Sequence, residues 1–580
     1  MSLLIALVAN GPAAGLSPTI EAAALANAAS RGFIHPTRLE WPGGHALWFA
    51  TPASPRSSGG CLVEGRRFAA YTGTVHWKGL TGEALLRRLL REFSRPQDMP
   101  LRDFSGGFAM LFSQGDEVWL FSDAVGLQQF YATCAGSVIS NSLYLCRSLL
   151  RRPQLNRLRA QEYVLLGSNH ATETPLQEIR AHDASQMVDL RSGARSTLHA
   201  AADWRVNRSF ATTAEAVETL SSLIDTDFEG MLQAFGPQIG MALSGGFDSR
   251  LLLAALQRHG IAPDLYVYGA PDDDDVRIAA AKASELGMPI ACIDKRQINS
   301  ARPPIDRPLI AGNLAFFDGL PVDGVFDRGA DQITRQLQMT GGRLNLNGGG
   351  GEILRNFFYL PDRAYSATEL VGAFYSNWMP RAVPDSDERR ELHEATADGI
   401  LGELGFESGT LRTRARKLPR VDVELVYTLF RLRWWMARNN TIATLHGAFM
   451  TPLAHPRLIE LAAQVPLAWK TDGDLEAAVI TRLAPAVARG PSNYGFDFSR
   501  GPGAAHRRYM NATLVRPIMI RRASARLRRL LGRNPSIPSP AEWQRAFPLP
   551  AVDWIDVRYL TDSGQWNRLL TLCALLDDGL

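Results

Sequence analysis

The sequence predicts an α/β protein: a strand-rich antiparallel first part, then a doubly wound parallel sheet with helical additions. Three observations predict it. Near residue 240 an apolar strand (239–243) breaks into Ser244-Gly245-Gly246-Phe247-Asp248-Ser249, and a helix begins at once with Arg250-Leu251-Leu252. After residue 213 strand-like and helix-like segments alternate, the pattern of a parallel sheet that carries ligands at the carboxyl ends of its strands. Before residue 200 the signals are strands and turns.

In chain order, Met1 to Val8 reads as a buried first strand; it lacks the basic flank of a signal peptide. Gly82 to Phe93 is an amphipathic helix. Phe108 to Phe112 and Glu117 to Phe121, separated by Ser113-Gln114-Gly115-Asp116, form a hairpin, and 136–140 adds a strand. A helix over Thr213–Leu232 precedes the 239–243 strand. Leu265 to Gly269 is a second parallel strand, Asp275 to Leu286 a helix and Pro289 to Ile293 a third strand. Residues 420–485 are helix-rich, and the Pro-rich run 534–540 is a loop or short linker.

With 580 residues the chain exceeds a single hydrophobic core, so two or more domains are expected. Five scattered cysteines with no C-x-x-C pair predict reduced thiols in a cytoplasm, without a disulfide framework or zinc site. A formal net charge of +4 gives no argument for nucleic acid, and no apolar run reaches membrane-spanning length.

The 244–249 loop carries the chemistry. Its glycines let backbone N–H groups approach an anion, and the new helix adds its N-terminal dipole. Ser244 and Ser249 supply hydroxyl donors. Asp248 would repel a bare phosphate, so its presence predicts a Mg²⁺ between them. The loop is thus a candidate pyrophosphate cradle, different in layout from a Gly-x4-Gly-Lys-Ser/Thr loop.

Both halves, in order, resemble the asparagine synthetase B superfamily. The C-terminal likeness rests on SGGFDS at 244–249, the 265–294 strand–helix–strand and the turn Asn347-Gly348-Gly349-Gly350-Gly351-Glu352. The N-terminal likeness rests on Asp103-Phe104-Ser105-Gly106-Gly107-Phe108-Ala109 and on 121–131. The resemblance implies an N-terminal Ntn-hydrolase-like αββα sandwich of glutaminase type over 1–205. It implies an ATP-pyrophosphatase domain over 206–580. It further implies that ATP is held by Ala242, Leu243, Ser244, Gly245, Gly246, Asp248, Ser249, Tyr268, Asn347 and Gly348, and that Asp248 binds Mg²⁺. Asp248, Glu352 and Arg250 are the expected catalytic residues.

Departures from the family shape the functional expectation. Ser2 stands where family glutaminases carry their cysteine nucleophile, and Thr72-Gly73-Thr74-Val75 replaces the glutamine-binding Asn-Gly-x-Ile. An inactive glutaminase is expected, so the amine would come from the substrate. Gly351 stands where the family holds a Mg²⁺-binding Asp, Gly348 at the position of a second acidic residue, and Asn493 at that of a pyrophosphate-neutralising Lys. Loss of such charges weakens stabilisation of phosphoryl-transfer charge by several kcal/mol. Candidate substitutes are Arg250, Arg431, Arg433, Arg438, Arg355 and Lys470, although surface or helix-capping charge is the ordinary role of any one arginine. Asp272 to Asp275 reads as a solvated turn and helix N-cap, with Mg²⁺ or amine binding as the alternative. Trp434-Trp435 reads as core. The basic stretch 516–533 is a solvated face or a docking helix for an acidic peptide.

The expected activity is AMP-forming amide ligation. A substrate carboxylate is adenylated and coupled to a substrate amine, with release of pyrophosphate. Family members with inactive glutaminases include β-lactam synthetases and lasso-peptide cyclases, so closure of a lactam or peptide macrolactam is one expectation. A small-molecule or peptide substrate is implied, with a precursor peptide or leader peptidase as possible partners and neither nucleic acid nor membrane. The alternatives are a capsule or secondary-metabolite enzyme and a nucleotide-binding pseudoenzyme. The sequence leaves open the identities of carboxylate and amine, the choice between ring closure and intermolecular coupling, and the oligomeric state.

Overall fold

The computed structural model describes residues 2–9, 18–52, 59–133, 136–206, 208–375, 382–517, 519–520, 523, 541–560 and 562–579. The protein is α/β, with two antiparallel sheets from the first part of the chain and one five-stranded parallel sheet from the second. Most of the basic stretch 516–533, and the 534–540 run, lie outside the described residues.

The two antiparallel sheets have six strands each and pack face to face. Alternation along Leu3–Val8 shows why. Leu4 and Ala6 face Ala70, Ala109 and Leu111 of the other sheet. Leu3, Ile5 and Leu7 face Ala24 and Ala28 of the Pro18–Ser30 helix on the outside. A strand buried on both faces reads as an unbroken apolar run, which is what this segment is. The second sheet is covered by Leu85, Leu86, Leu89 and Leu90 of the Gly82–Glu92 helix. The layers therefore run helix, sheet, sheet, helix. The predicted hairpin is longer than its apolar runs suggest: Ser105–Gln114 pairs with Glu117–Ser122, leaving Gly115 and Asp116 as the turn.

The Thr213–Phe235 helix opens the second part, its N-terminus closed by Thr212 Oγ1 accepting from Glu215 N at 3.1 Å. The parallel sheet has the strand order Ile290–Ile293, Asp264–Tyr268, Ile239–Ala242, Leu344–Leu346, Phe449–Met450. The first strand in sequence is therefore central. The chain leaves it to one side, then crosses back to place Leu344–Leu346 on its other flank. The sense of winding reverses between these two strands, and a crevice opens there beyond their carboxyl ends. The 244–249 loop follows one strand and the glycine-rich 347–352 turn the other, so topology alone brings them together.

The two parts share a buried core that runs without a break from Ala124 to Leu575. Asp318 is the polar hub of their junction. It is fully buried, with φ +56°, and accepts from Leu143 N at 2.9 Å, from Ser142 Oγ and from Arg438 at 2.9 Å, with Arg31 at 3.3 Å. Removing one partner of such a cluster leaves a buried charge uncompensated. Asp318→Ala should therefore lower the unfolding free energy in urea by about 3–5 kcal/mol; a loss below about 1 kcal/mol would show that the hub contributes little.

Candidate functional site

Short contacts define the 244–249 loop. Ser244 N donates to Ser249 Oγ at 3.0 Å, Gly245 N to Asp275 Oδ1 at 2.9 Å and Gly246 N to Ser244 Oγ at 3.2 Å. Three successive N–H groups thus converge on oxygens at the N-terminus of the Phe247–Arg258 helix, a donor set suited to an anion. Here protein oxygens fill it. Asn493 closes the loop from outside: its N–H donates to Gly245 O at 3.1 Å, and its side-chain amide donates to Asp275. A Cβ at Gly245 would stand 2.1 Å from Asn493 Oδ1, so only glycine fits beneath it.

The Asp248 carboxylate leaves the loop toward Arg355, whose Nη2 donates to both of its oxygens at 2.9 and 2.8 Å. Arg355 Nε stands 3.0 Å from the fully buried Glu476, and its Nη1 donates to Tyr494 Oη at 2.8 Å. Burial pushes the Glu476 carboxyl well up, Arg355 opposing and Asp248 and Glu352 adding to it. Glu352 accepts from Gly350 N at 3.1 Å and from the buried Tyr427 hydroxyl.

These residues do not fit a protein-held Mg²⁺. Both oxygens of Asp248 are engaged by a guanidinium. A Cβ at Gly351 would fall 2.2 Å from Asp248 Oδ1, so a side chain there has no room beside the carboxylate as it is placed. Among the described residues, no group of three or more His, Cys, Asp or Glu is arranged to hold a metal ion. Gly350 is required for another reason: its φ is +103°, and a Cβ would meet the 453–454 backbone at 2.8 Å.

A cleft of about 500 Å³ lies over the loop. Ala242, Ser244, Asp248, Ser249, Tyr268, Asn347, Gly348 and Glu352 line it, whereas Leu243, Gly245 and Gly246 stand behind the wall. Arg250 corrects the sequence expectation. It is fully buried on the far side of the helix, donates to Pro491 O and stacks over Phe498 at 4.9 Å. A residue two places after Asp248 on a helix points away from it. The other cations also have partners elsewhere. Arg433 pairs with Glu403, Arg438 with Asp318 at 2.9 Å and Lys470 with Glu424 at 2.8 Å. Arg431 stands over Phe374 at 5.2 Å. Of the candidate substitutes, Arg355 is the one that reaches Asp248.

The acidic run divides. Asp272, Asp273 and Asp274 are exposed, while Asp275 reaches the loop. The tryptophan pair divides as well: Trp434 is buried, donating to Glu403 at 2.9 Å, and Trp435 lines the cleft. Sequence reasoning missed Tyr427, Glu476 and the helix Ala330–Met339, which presents Asp331, Thr334, Arg335 and Gln338 to the cleft. That i, i+3, i+4, i+7 spacing was the available signal.

In the first half, Ser2 is buried, and its hydroxyl donates to Tyr71 O at 3.2 Å. The backbone of Gly59 crowds it, since a Cβ there would lie 2.1 Å from Ser2 Oγ. Thr72 is also buried.

No family model matches the chain, and neither does any curated protein. Among solved structures, glutamine-dependent NAD+ synthetase from Acinetobacter baumannii in complex with adenosine diphosphate is similar at 17% identity with a TM-score of 0.17. The match covers 43% of this chain and 56% of that one, and no functional weight rests on it.

Burial, with Glu352 adding and Arg355 opposing, pushes the Asp248 carboxyl from an ordinary 3.8 up to about 6. Between those values the folded chain holds a proton that the unfolded chain has released. The contribution to stability is therefore full below about pH 4 and lost as pH rises through 6. Urea unfolding of Asp248→Asn should show a smaller fall in stability from pH 4 to pH 6 than the parent. Equal falls would place the titration on another group.

Proposed function

We propose that the chain is an ATP-dependent, AMP-forming amide ligase, divided at residue 205/206 into a glutaminase-like part without glutaminase activity and an ATP-pyrophosphatase part. The observation that carries this reading is the position of the 244–249 loop. Its three successive N–H groups lie at the topological switch point, beside a cleft of about 500 Å³ that Ser244 and the glycine-rich turn both line. The β- and γ-phosphates of ATP would take the oxygen positions that Asp275 and Ser249 now fill. Ala242, Tyr268, Asn347 and Gly348 are placed to line the rest of the nucleotide.

A substrate carboxylate oxygen would then attack the α-phosphorus. The bond from that phosphorus to the bridging oxygen breaks and pyrophosphate leaves. An amine attacks the acyl carbon and AMP leaves with the carboxyl oxygen. Glu352, which forms no ion pair among the described residues, is placed in the cleft to take the amine's proton. Arg355 is the cation nearest the cradle and offsets the carboxylates that would otherwise repel the triphosphate. No step is assigned to a protein-held metal. The half-enclosed cleft would limit the access of water to the adenylate. Ring closure to a lactam or peptide macrolactam is one outcome of this chemistry when amine and carboxylate belong to one substrate.

A second reading is a nucleotide-binding scaffold without turnover. It is favoured by one observation: the loop N–H groups and both Asp248 oxygens are already satisfied within the protein. Product analysis separates the two. On the ligase reading, candidate amino-carboxylates or peptides yield AMP and pyrophosphate and a product lighter by one water. Added glutamine or ammonium leaves the rate unchanged, and glutamate does not accumulate.

Asp248→Ala should lower pyrophosphate release sharply, because Arg355 loses the partner that holds it beside the cradle. Ser244→Ala should weaken it by about 1–3 kcal/mol, the effect of one hydrogen bond to a charged group. ADP as the product, or full activity of Asp248→Ala, rules the ligase reading out. Tight ATP binding with no product selects the scaffold. Glutamate formation that Ser2→Ala abolishes would mean that the first half is an active glutaminase.

A further inference from the structure

Two basic side chains line the cleft, Lys295 and Arg335, together with the carboxylates of Asp248, Asp323, Asp331 and Glu352. Lys295 is paired with Asp331 at 2.7 Å and lies over the Tyr268 ring at 4.7 Å. Arg355 is held between Asp248 and Glu476. Arg335 differs from both. Its guanidinium donates to Gln338 Oε1 at 3.3 Å and to Asn439 Oδ1, both neutral oxygens, and it forms no ion pair among the described residues.

Its partners fix its direction. Gln338 donates in turn to Tyr268 Oη, so its amide is oriented from both ends. Asn439 spends its oxygen on Arg335, and among the described residues its amide N–H₂ donates to the Met436 sulfur at 3.8 Å, a weak acceptor. A planar guanidinium and a spare amide donor therefore stand together on the cleft wall, the pattern that recognises a carboxylate.

Apolar side chains share the cleft with these donors: Phe317, Trp435, Met436, Ile442 and Phe449 line it, with Arg335 6.0 Å from the Phe449 ring centre. Contacts also connect this patch to the loop. Met436 touches Gly349, since a Cβ there would lie 2.2 Å from its terminal methyl, and Gly348 touches Asp248.

We propose that Arg335, oriented by Gln338 and joined by Asn439, binds the carboxylate of a substrate acid with an apolar or aromatic body. The conversion of that acid rests on the nucleotide reading above; its binding stands on the cleft alone. An acid with a charged body, such as an acidic amino acid, would leave the aromatic wall against a hydrated group. A free phosphate would find the donors of Arg335 but no use for that wall.

The test uses the full chain and three probes: 4-phenylbutyrate, its neutral amide and inorganic phosphate, titrated by calorimetry. The acid should bind saturably, at least tenfold more tightly than the amide and than phosphate. Arg335→Met should weaken the acid at least tenfold without changing binding of the amide, and Arg335→Lys should recover part of the loss. Equal affinities for acid and amide would overturn the proposal, as would phosphate binding more tightly than the acid. The acid–amide comparison in the unaltered chain decides the matter even if Arg335→Met does not fold. A fluorescent ATP analogue is titrated in parallel. Acid binding without nucleotide binding sinks the ligase reading alone; nucleotide binding without acid binding sinks this proposal alone.

Discussion

The buried ion pair between Asp248 and Arg355 ties the site together, because it links the side chains of three elements that the fold packs side by side. Asp248 belongs to the first turn of the Phe247–Arg258 helix, Arg355 follows the glycine-rich turn, and Glu476, on the other side of the same guanidinium, belongs to the Asp474–Leu483 helix. At 2.8 Å and an effective dielectric of about 20, the attraction of one pair is ~6 kcal/mol. Desolvating each ion costs several kcal/mol, so the balance turns on geometry and on the remaining hydrogen bonds. Arg355 meets that condition, with two bonds to Asp248 and one to Tyr494. Burial, with Asp248 and Glu352 adding and Arg355 opposing, drives the Glu476 carboxyl toward the protonated form.

The second constraint is topological. A parallel sheet whose first strand is central must reverse its winding beside that strand, and both chain segments at the reversal leave the sheet in the same direction. Two close approaches follow. Gly348 lies against Asp248, and Gly351 lies against its carboxylate, each so near that a side chain would displace it. The glycines of the 347–351 run therefore answer to crowding as much as to any ligand.

What the sequence made legible followed periodicity and backbone chemistry. The alternating strand of residues 3–8, the hairpin about Gly115, the capped helix from Thr213 and the loop at 244–249 all announce themselves locally, and their ends shift by only a few residues. Side-chain direction was not legible to the same degree. Arg250 is adjacent to the loop in sequence but lies behind it, since a helix turns about 200° over two residues. Arg355 is adjacent to Glu352 in a run with no regular period, so nothing local showed that it would fold onto Asp248. Tyr427 and Glu476 come from helices far along the chain, and only tertiary packing places them. Trp434 and Trp435 part for the same reason as Arg250: neighbours on one helix face different ways, one to Glu403 and one to the cleft.

On the proposed function, entry of a nucleotide is an exchange, and its two components differ in cost. Replacing Asp275 and Ser249 oxygens by phosphate oxygens trades hydrogen bonds for hydrogen bonds on the same N–H groups, which is near neutral in net free energy. The charge exchange is not neutral, because a triphosphate would meet Asp248 and Glu352 across a half-enclosed cleft. Arg355 offers a route that needs no added cation from the protein. Its Nε side remains on Glu476 while its Nη2 passes from Asp248 to a phosphate oxygen. Asp248, already pushed up to about 6, then takes up a proton more readily once the guanidinium has left. The buried glutamate that looks redundant beside one arginine acquires a purpose in this exchange: it holds the guanidinium in place while the partner on its other side changes.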